Sequence, residues 1–182
     1  MDSRLPPRPL PRLLIIGHGR HGKDTAAEAL ARAQGFRFVS SSEFAATHAV
    51  FPLVSDLYPD PAAAYADRAN HRELWFHAIA AYNLRPGPML AEQILVDHDI
   101  YVGMRSRAEF ERSRDQFDLV VWVDRSKVLP SEPGGSNELT SDDADVILDN
   151  NGDLAHLEVE VRALLDRLEE DAILTVGLAR HG

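Results

Sequence analysis

The sequence contains no cysteine, only two lysines and no long apolar run, and each shortage narrows the classes of protein it can belong to. Without cysteine there is no disulfide scaffold, no thiolate zinc site and no cysteine nucleophile. The longest early apolar run, Leu13–Ile16, is too short for a secretion signal or a membrane span, so we expect a soluble, cytoplasmic protein without a membrane partner. A formal net charge of -10 argues against broad attraction to nucleic acid, although arginines can still line a cleft.

Short apolar segments alternate with helix-forming segments along the 182 residues. This alternation predicts an α/β fold, a three-layer sandwich in which a five-stranded parallel sheet lies between two layers of helices. Strands are predicted at 12–16, 36–39, 99–103, 119–123 and 145–148, and helices at 26–34, 63–82, 87–96, 106–116 and 154–168, with 51–62 irregular. We expect a flexible arm at 1–11, one domain at 12–170 with a mobile lid at about 125–142, and a tail at 171–182.

A glycine-rich segment, GHGRHGKDT at residues 17–25, separates the first predicted strand from the first predicted helix. Its glycines allow a tight turn whose backbone N–H groups face a phosphate, and the helix N-terminus adds partial positive charge. Lys23 is placed to bridge the transferring phosphates, so the segment predicts a P-loop NTPase fold and an ATP site. The predicted ATP-binding residues here are Gly17, His18, Gly19, Arg20, His21, Gly22, Lys23, Asp24 and Thr25. The two histidines are expected to line the loop rather than to catalyse.

The end of this segment departs from the usual G-x-x-x-x-G-K-[ST] pattern, because Asp24 stands where a hydroxyl residue is expected. Thr25 supplies a hydroxyl one position later. Both residues are predicted ligands of the Mg²⁺ ion that accompanies ATP, with helix capping as the alternative role of Asp24.

The GKDT ending, Gly103-Met-Arg105 and the segment ADVILDNNGDL at 144–154 together resemble the nucleoside and nucleotide kinase group of P-loop proteins, especially phage deoxynucleoside monophosphate kinases. The resemblance covers the chain from Arg12 to about Leu168. It implies that Arg105 contacts the substrate or its phosphate, and that Asn151 and Gly152 lie beside the adenine of ATP.

Two further segments, DRANHRELWF at 67–76 and IYVGMR at 100–105, look like the short phage kinases that phosphorylate 5-hydroxymethyl-deoxyuridine in DNA during thymidine hypermodification. This resemblance implies ATP and Mg²⁺ as cofactors, DNA containing 5-hydroxymethyluracil as the acceptor, and the host cytoplasm as the location. A kinase of free deoxynucleoside monophosphates, which fits the acidic charge better, is one alternative. A catalytically weak, nucleotide-binding regulatory module is another. The sequence leaves the oligomeric state open, a homodimer included.

The helix predicted at 63–82 supplies the predicted acceptor site. Residues three and four apart are neighbours on a helix, so Arg68, Arg72 and Trp75 fall on nearly one face. Two guanidinium groups and an aromatic ring suit phosphates and a base, although a solvated arginine face with Trp75 in the core is the alternative. Arg105, just past a strand end, is expected to contact the substrate as well.

Transfer to a hydroxyl group benefits from a carboxylate that accepts its proton, whereas a phosphate acceptor needs none. Asp67 and Glu43 rank equally for this role, Asp24 is a third candidate, and Glu43 could instead complete a helix-capping box. The predicted catalytic residues are therefore Lys23, Asp67, Glu43 and Arg105. Arg125 and Lys127 begin the predicted lid and are expected to close over the phosphates.

Overall fold

The structure, a computed structural model, describes residues 10–132 and 137–179, and of 171–179 it describes the backbone alone. The strands in these residues are β1 (Leu13–Ile16), β2 (Phe38–Ser40), β3 (Ile100–Val102), β4 (Leu119–Asp124) and β5 (Val146–Asp149). The α-helices are α1 (Lys23–Gln34), α2 (Ser41–Ala45), α3 (Phe51–Val54), α4 (Pro61–Ala66), α5 (Arg72–Leu84), α6 (Leu90–Asp97), α7 (Arg107–Ser113) and α8 (Leu154–Ala179). A π-helical segment, Ala46–Val50, joins α2 to α3. None of the helices described here is both long and apolar enough to cross a membrane.

All five strands run parallel, in the order β2-β3-β1-β4-β5, which confirms the predicted α/β fold with a five-stranded parallel sheet. Leu13 of β1 pairs with Ile100 of β3 on one side and with Leu119 of β4 on the other. The chain first builds the sheet outward from β1 to β2 and later crosses β1 to reach β4. Open sheets of this kind bind ligands beyond the carboxyl ends of their strands, at such a reversal.

Alternate side chains of β1 face opposite layers of helices, and all of its residues are fully buried. Leu13 and Ile15 pack with α1 and α8. Leu14 and Ile16 pack with the longer run of helices between β2 and β4. Burial on both faces explains why the strand is continuously apolar, as expected for a parallel sheet covered by helices on each side.

The helix predicted at 63–82 is interrupted, and the segment predicted to be irregular, 51–62, is irregular only at 55–60. The chain forms α3 and α4 in this region, breaks at a 3₁₀ turn, Arg68–Asn70, and begins α5 at Arg72. The break is stabilised by Asp67, whose carboxylate accepts hydrogen bonds from Tyr58 and from the Asn70 and His71 side chains. Side-chain bonds of this kind compete with helix continuation.

The ends of the chain also differ from expectation. The last helix, predicted to end at 168, continues as α8 to Ala179, so most of the predicted tail at 171–182 is helical. The predicted arm at 1–11 lies outside the described residues except for its last two, and so does the middle of the predicted lid, 133–136.

Candidate functional site

The loop that joins β1 to α1, residues 17–22, takes its shape from glycines that have no room for a side chain. Gly17 has a φ of 144°, and a Cβ there would lie 2.6 Å from the carbonyl oxygen of Val123 on β4. Gly22 has a φ of 89°, and a Cβ there would overlap the side-chain amide of Asn150. The loop therefore turns tightly at the carboxyl end of β1 and leads directly into the N-terminus of α1, which is where anions bind.

The Lys23 side chain, only 9% exposed, folds back over this loop from the first turn of α1. Its ammonium group donates hydrogen bonds to the carbonyl oxygens of Gly17 (3.0 Å) and His18 (2.7 Å). Burial, followed by the nearby Arg105 guanidinium, lowers the pKa of Lys23 to about 8. A buried ammonium beside a helix N-terminus lacks a full countercharge, so the position favours an anionic ligand.

A carboxylate, that of Glu132, lies at the mouth of the loop. It accepts a hydrogen bond from the backbone N–H of Gly19 and one of 2.9 Å from Arg105, and it lies 3.6 Å from the guanidinium of Arg72. Burial would raise the pKa of Glu132, but the Gly19 N–H, Arg105 and Lys23 together hold it below its ordinary value. The hydrogen-bond donors at the mouth of the loop thus bind a carboxylate of the protein, that of Glu132.

A cavity of about 310 Å³ lies beside the start of α1. It is lined by Thr25, Arg125, Asn150, Gly152, Asp153 and Leu154. Asn150 also donates a 2.8 Å hydrogen bond to the carbonyl oxygen of His21, so the same side chain lines the cavity and braces the loop. Gly152 lines this cavity, whereas the side chain of Asn151 bonds to Asp124 and Asp149. The predicted place of both residues beside the adenine stays a prediction, and Asn150 was not among the residues singled out from the sequence.

The two histidines of the loop are held within the protein. His21 is fully buried, and its Nδ1 accepts a 3.1 Å hydrogen bond from the backbone N–H of Arg125. The His18 ring lies edge-on to those of His21 and Trp122, and burial lowers the pKa of His18. Within residues 10–132 and 137–179, His18 Nδ1 and His21 Nε2 have no hydrogen-bond partner.

Comparison with solved structures places this arrangement in a known fold. The chain is similar to a gluconokinase from Sinorhizobium meliloti 1021, with 16% sequence identity, a TM-score of 0.54, and coverage of 92% of this chain and 99% of that one. It is also similar to a shikimate kinase from Aquifex aeolicus vf5, with 15% identity, a TM-score of 0.47, and coverage of 89% and 98%. The likeness to the gluconokinase shows a similar α/β fold. No protein-family model and no curated protein matches the sequence.

The arginines predicted to bind the acceptor are separated by the structure. Arg72 and Arg105 converge on Glu132 at the mouth of the P-loop. Arg68 lies instead on the 3₁₀ turn before α5, with its guanidinium 4.0 Å above the ring of Tyr65. The expectation of one helical face fails because the helix is broken between Arg68 and Arg72.

Trp75 lies in the core, 7% exposed, with its ring edge-on to that of Tyr65. We expected this ring on the surface of the acceptor site, and the structure instead places it where the alternative interpretation did. The neighbouring Phe76, 38% exposed, is an aromatic side chain of α5 that reaches the surface, as does the His77 ring beside it.

The carboxylates considered as proton acceptors differ in their surroundings. Asp67 accepts hydrogen bonds of 2.6 Å from Tyr58 and 2.6 Å from Asn70, and these bonds lower its pKa, which makes it a weaker base. Glu43 is exposed in the first turn of α2, and its backbone N–H donates to the Ser40 hydroxyl, as expected at a helix cap.

The predicted metal ligands lie next to each other on α1. Asp24 is exposed, and the half-buried Thr25 lines the cavity. Among the residues that the structure describes, no group of three or more histidines, aspartates or glutamates could hold a metal ion. A Mg²⁺ ion here would therefore depend on nucleotide phosphates and water for most of its six ligands, as Mg²⁺ commonly does beside ATP.

Arg125 and Lys127, the predicted lid residues, follow β4. Arg125 lines the cavity, whereas the Lys127 side chain is 76% exposed and lies 4.0 Å from Asp149. The backbone N–H of Lys127 donates a 2.9 Å hydrogen bond to Asn151. Arg125 thus borders the cavity and Lys127 does not, and the closure of both over phosphates stays a prediction.

Proposed function

We propose that the protein is an ATP-dependent phosphotransferase. The observation that carries this proposal is the buried Lys23 ammonium, held over a glycine loop at the N-terminus of α1. The adjacent cavity offers room for the base and ribose of a nucleotide whose phosphates would reach the loop. The fold shared with a gluconokinase supports the same reaction class.

In the proposed reaction the loop N–H groups and Lys23 hold the β- and γ-phosphates. Mg²⁺, with Thr25 and Asp24 as its nearest protein groups, would neutralise charge on them. The acceptor oxygen attacks the γ-phosphorus in line from the side of Arg72 and Arg105, while the bond from that phosphorus to the bridging oxygen breaks and ADP leaves. The catalytic work is mainly positioning and charge stabilisation. Residues 125–142 would close over the phosphates as a lid, beginning with Arg125 and Lys127.

For the acceptor we propose the hydroxymethyl group of 5-hydroxymethyl-deoxyuridine in DNA. Support comes from the sequence resemblance and from the two converging guanidinium groups of Arg72 and Arg105, which suit the phosphates flanking the target base. The base would have to leave the duplex, and with Trp75 buried, the exposed Phe76 supplies a ring of α5 for stacking on it.

A free deoxynucleoside monophosphate is the second candidate acceptor, and two observations favour it. A phosphate acceptor needs no general base, and Asp67 has its carboxylate committed to neighbouring donors and its pKa lowered. The net charge of -10 also suits a small nucleotide better than a polyanion.

One experiment separates these functions. The protein is incubated with γ-labelled ATP and, in parallel, DNA containing 5-hydroxymethyluracil, ordinary DNA, and a panel of deoxynucleoside monophosphates. Label in the modified DNA alone supports the first acceptor, and label in a diphosphate supports the second. No transfer, with ATP still bound, would favour the regulatory module. Lys23→Ala should abolish transfer, and Arg162→Ala, which removes an exposed charge on α8, is the matched control.

A further inference from the structure

The side chain of Glu132 lies where an acidic residue is not expected in a phosphate-binding site. Its carboxylate is mostly buried, with its side chain 12% exposed. One oxygen binds Arg105 at 2.9 Å and the other lies 3.6 Å from Arg72. The backbone N–H of Gly19 completes the set, and the approach is so close that a Cβ on Gly19 would overlap the carboxylate.

These donors are the kind that bind phosphate. Backbone N–H groups of a glycine loop and planar guanidinium groups bind carboxylate and phosphate oxygens with the same geometry. The Lys23 ammonium is close enough to Glu132 to perturb its pKa, so the carboxylate lies within the field of the phosphate-binding lysine. A terminal phosphate bound by Lys23 and a carboxylate held by Gly19 and Arg105 are therefore neighbours of like charge, which repel strongly where water is excluded.

We propose that Glu132 is an internal competitor of the nucleotide: its carboxylate occupies the subsite of the terminal phosphate, and ATP must displace it before Arg72 and Arg105 can bind the transferring group. This inference rests on the proposed function. Arg72 and Arg105 are released from Glu132 only when ATP binds. The acceptor side of the site is therefore complete only when the phosphate donor is present. It also assigns Arg72 to the phosphoryl group rather than to the acceptor alone.

Competition lowers the apparent affinity for ATP by the fraction of molecules in which Glu132 is displaced. Glu132→Gln keeps the shape and the oxygen facing Gly19 but removes the charge that Arg105 and Arg72 hold. We expect the affinity for ATP to rise about tenfold in this variant, with a smaller rise for ADP, which lacks the terminal phosphate. Glu132→Asp keeps the charge but shortens the side chain by one methylene, so it should give an intermediate rise.

The test is calorimetric titration of the full chain with ATP and with ADP at fixed Mg²⁺. The matched control is Glu158→Gln, which makes the same charge change at an exposed position of α8. A rise for ATP in Glu132→Gln that exceeds the rise for ADP, with Glu158→Gln unchanged, supports the proposal. Equal affinities in wild type and both Glu132 variants, or equal rises for ATP and ADP, would overturn it.

The failure of the proposed function would look different. If wild type and all variants bind no ATP while their circular dichroism shows folded protein, the phosphotransferase proposal fails and this inference fails with it. If ATP binds and only the gain is missing, the phosphotransferase proposal stands and Glu132 is not a competitor. Should Glu132→Gln fail to fold, Glu132→Asp decides by the same comparison.

Discussion

Replacing Lys23 by methionine should abolish nucleotide binding and still raise the free energy of unfolding of the nucleotide-free protein. Burial, with Arg105 nearby, lowers the pKa of this lysine from 10.5 to about 8. At about 1.4 kcal/mol per pKa unit, keeping the ammonium charged in the folded state costs about 3 kcal/mol. Methionine removes that cost but loses the two hydrogen bonds to Gly17 and His18, worth about 1 kcal/mol each. We therefore expect a net gain of about 1 kcal/mol near neutral pH.

The pH dependence isolates the electrostatic cost from the other effects of the substitution. Below about pH 8 Lys23 carries a proton in both the folded and the unfolded state, so the cost is present in full. Above that pH the unfolded chain binds more protons than the folded protein until about pH 10.5, so the free energy of unfolding of the wild type rises relative to the variant. Between about pH 7 and about pH 9.5 this relative rise is about 2 kcal/mol.

Urea denaturation of wild type and Lys23→Met at both pH values measures this rise. Lys127→Met, at the other lysine of the chain, is the matched control because its side chain is exposed. A constant difference between wild type and Lys23→Met at the two pH values would refute the reasoning. In parallel, the ATP affinity of the wild type should fall as the pH rises past about 8, because phosphate binds the charged form of Lys23.

Substitutions at three further positions test the site and the core. Gly22→Ala should lose nucleotide binding and lower the free energy of unfolding by about 2 kcal/mol, because the backbone there is left-handed and the Asn150 amide would be displaced. If this variant bound nucleotide as well as the wild type does, the loop assignment would be contradicted. Trp75→Ala should lower the free energy of unfolding by about 3–5 kcal/mol, because the side chain lies in the core. Trp75→Phe should leave phosphoryl transfer intact. A selective loss of acceptor affinity in Trp75→Phe would instead show that Trp75 stacks on the acceptor. Asp67→Asn should make the free energy of unfolding depend less on pH under acidic conditions. The lowered pKa of Asp67 stabilises the fold above its unfolded pKa, and this contribution is lost as the pH falls through the folded value. Unchanged acid unfolding would show that its hydrogen bonds contribute nothing.

The parts of the fold that could be predicted from the sequence are those with local signals. β1 is apolar because both of its faces are covered. The boundaries of α1 are indicated by the glycine loop before it and by Gly35 after it. The break between α4 and α5 could not be predicted in the same way. It depends on Tyr58 and His71 reaching the carboxylate of Asp67, a bond pattern that helix propensity does not encode.

The residues of the candidate site also differ in whether a local sequence signal predicts them. The P-loop residues are contiguous in sequence and could be named from it, whereas Glu132 and Asn150 reach the loop only through tertiary folding. Glu132 carries no local signal, because its role depends on the path of the chain after β4. Asn150 had a weak signal, since it follows β5 directly and strand ends face the site in open α/β sheets.

The long-range contacts that shape the P-loop also determine the stage of folding at which the site can form. Gly17 packs against Val123, the His18 ring against Trp122, and Asn150 bonds to the carbonyl oxygen of His21, so each contact joins the start of the chain to residues more than 100 positions later. Such contacts form late, because long loops must close first, and a chain emerging from the ribosome presents its N-terminal part alone. The loop is therefore synthesised before β4 and β5, but it can hold a phosphate only after those strands have docked. Nucleotide binding would then report that β4 and β5 have docked, which makes it a measure of completed folding in this chain.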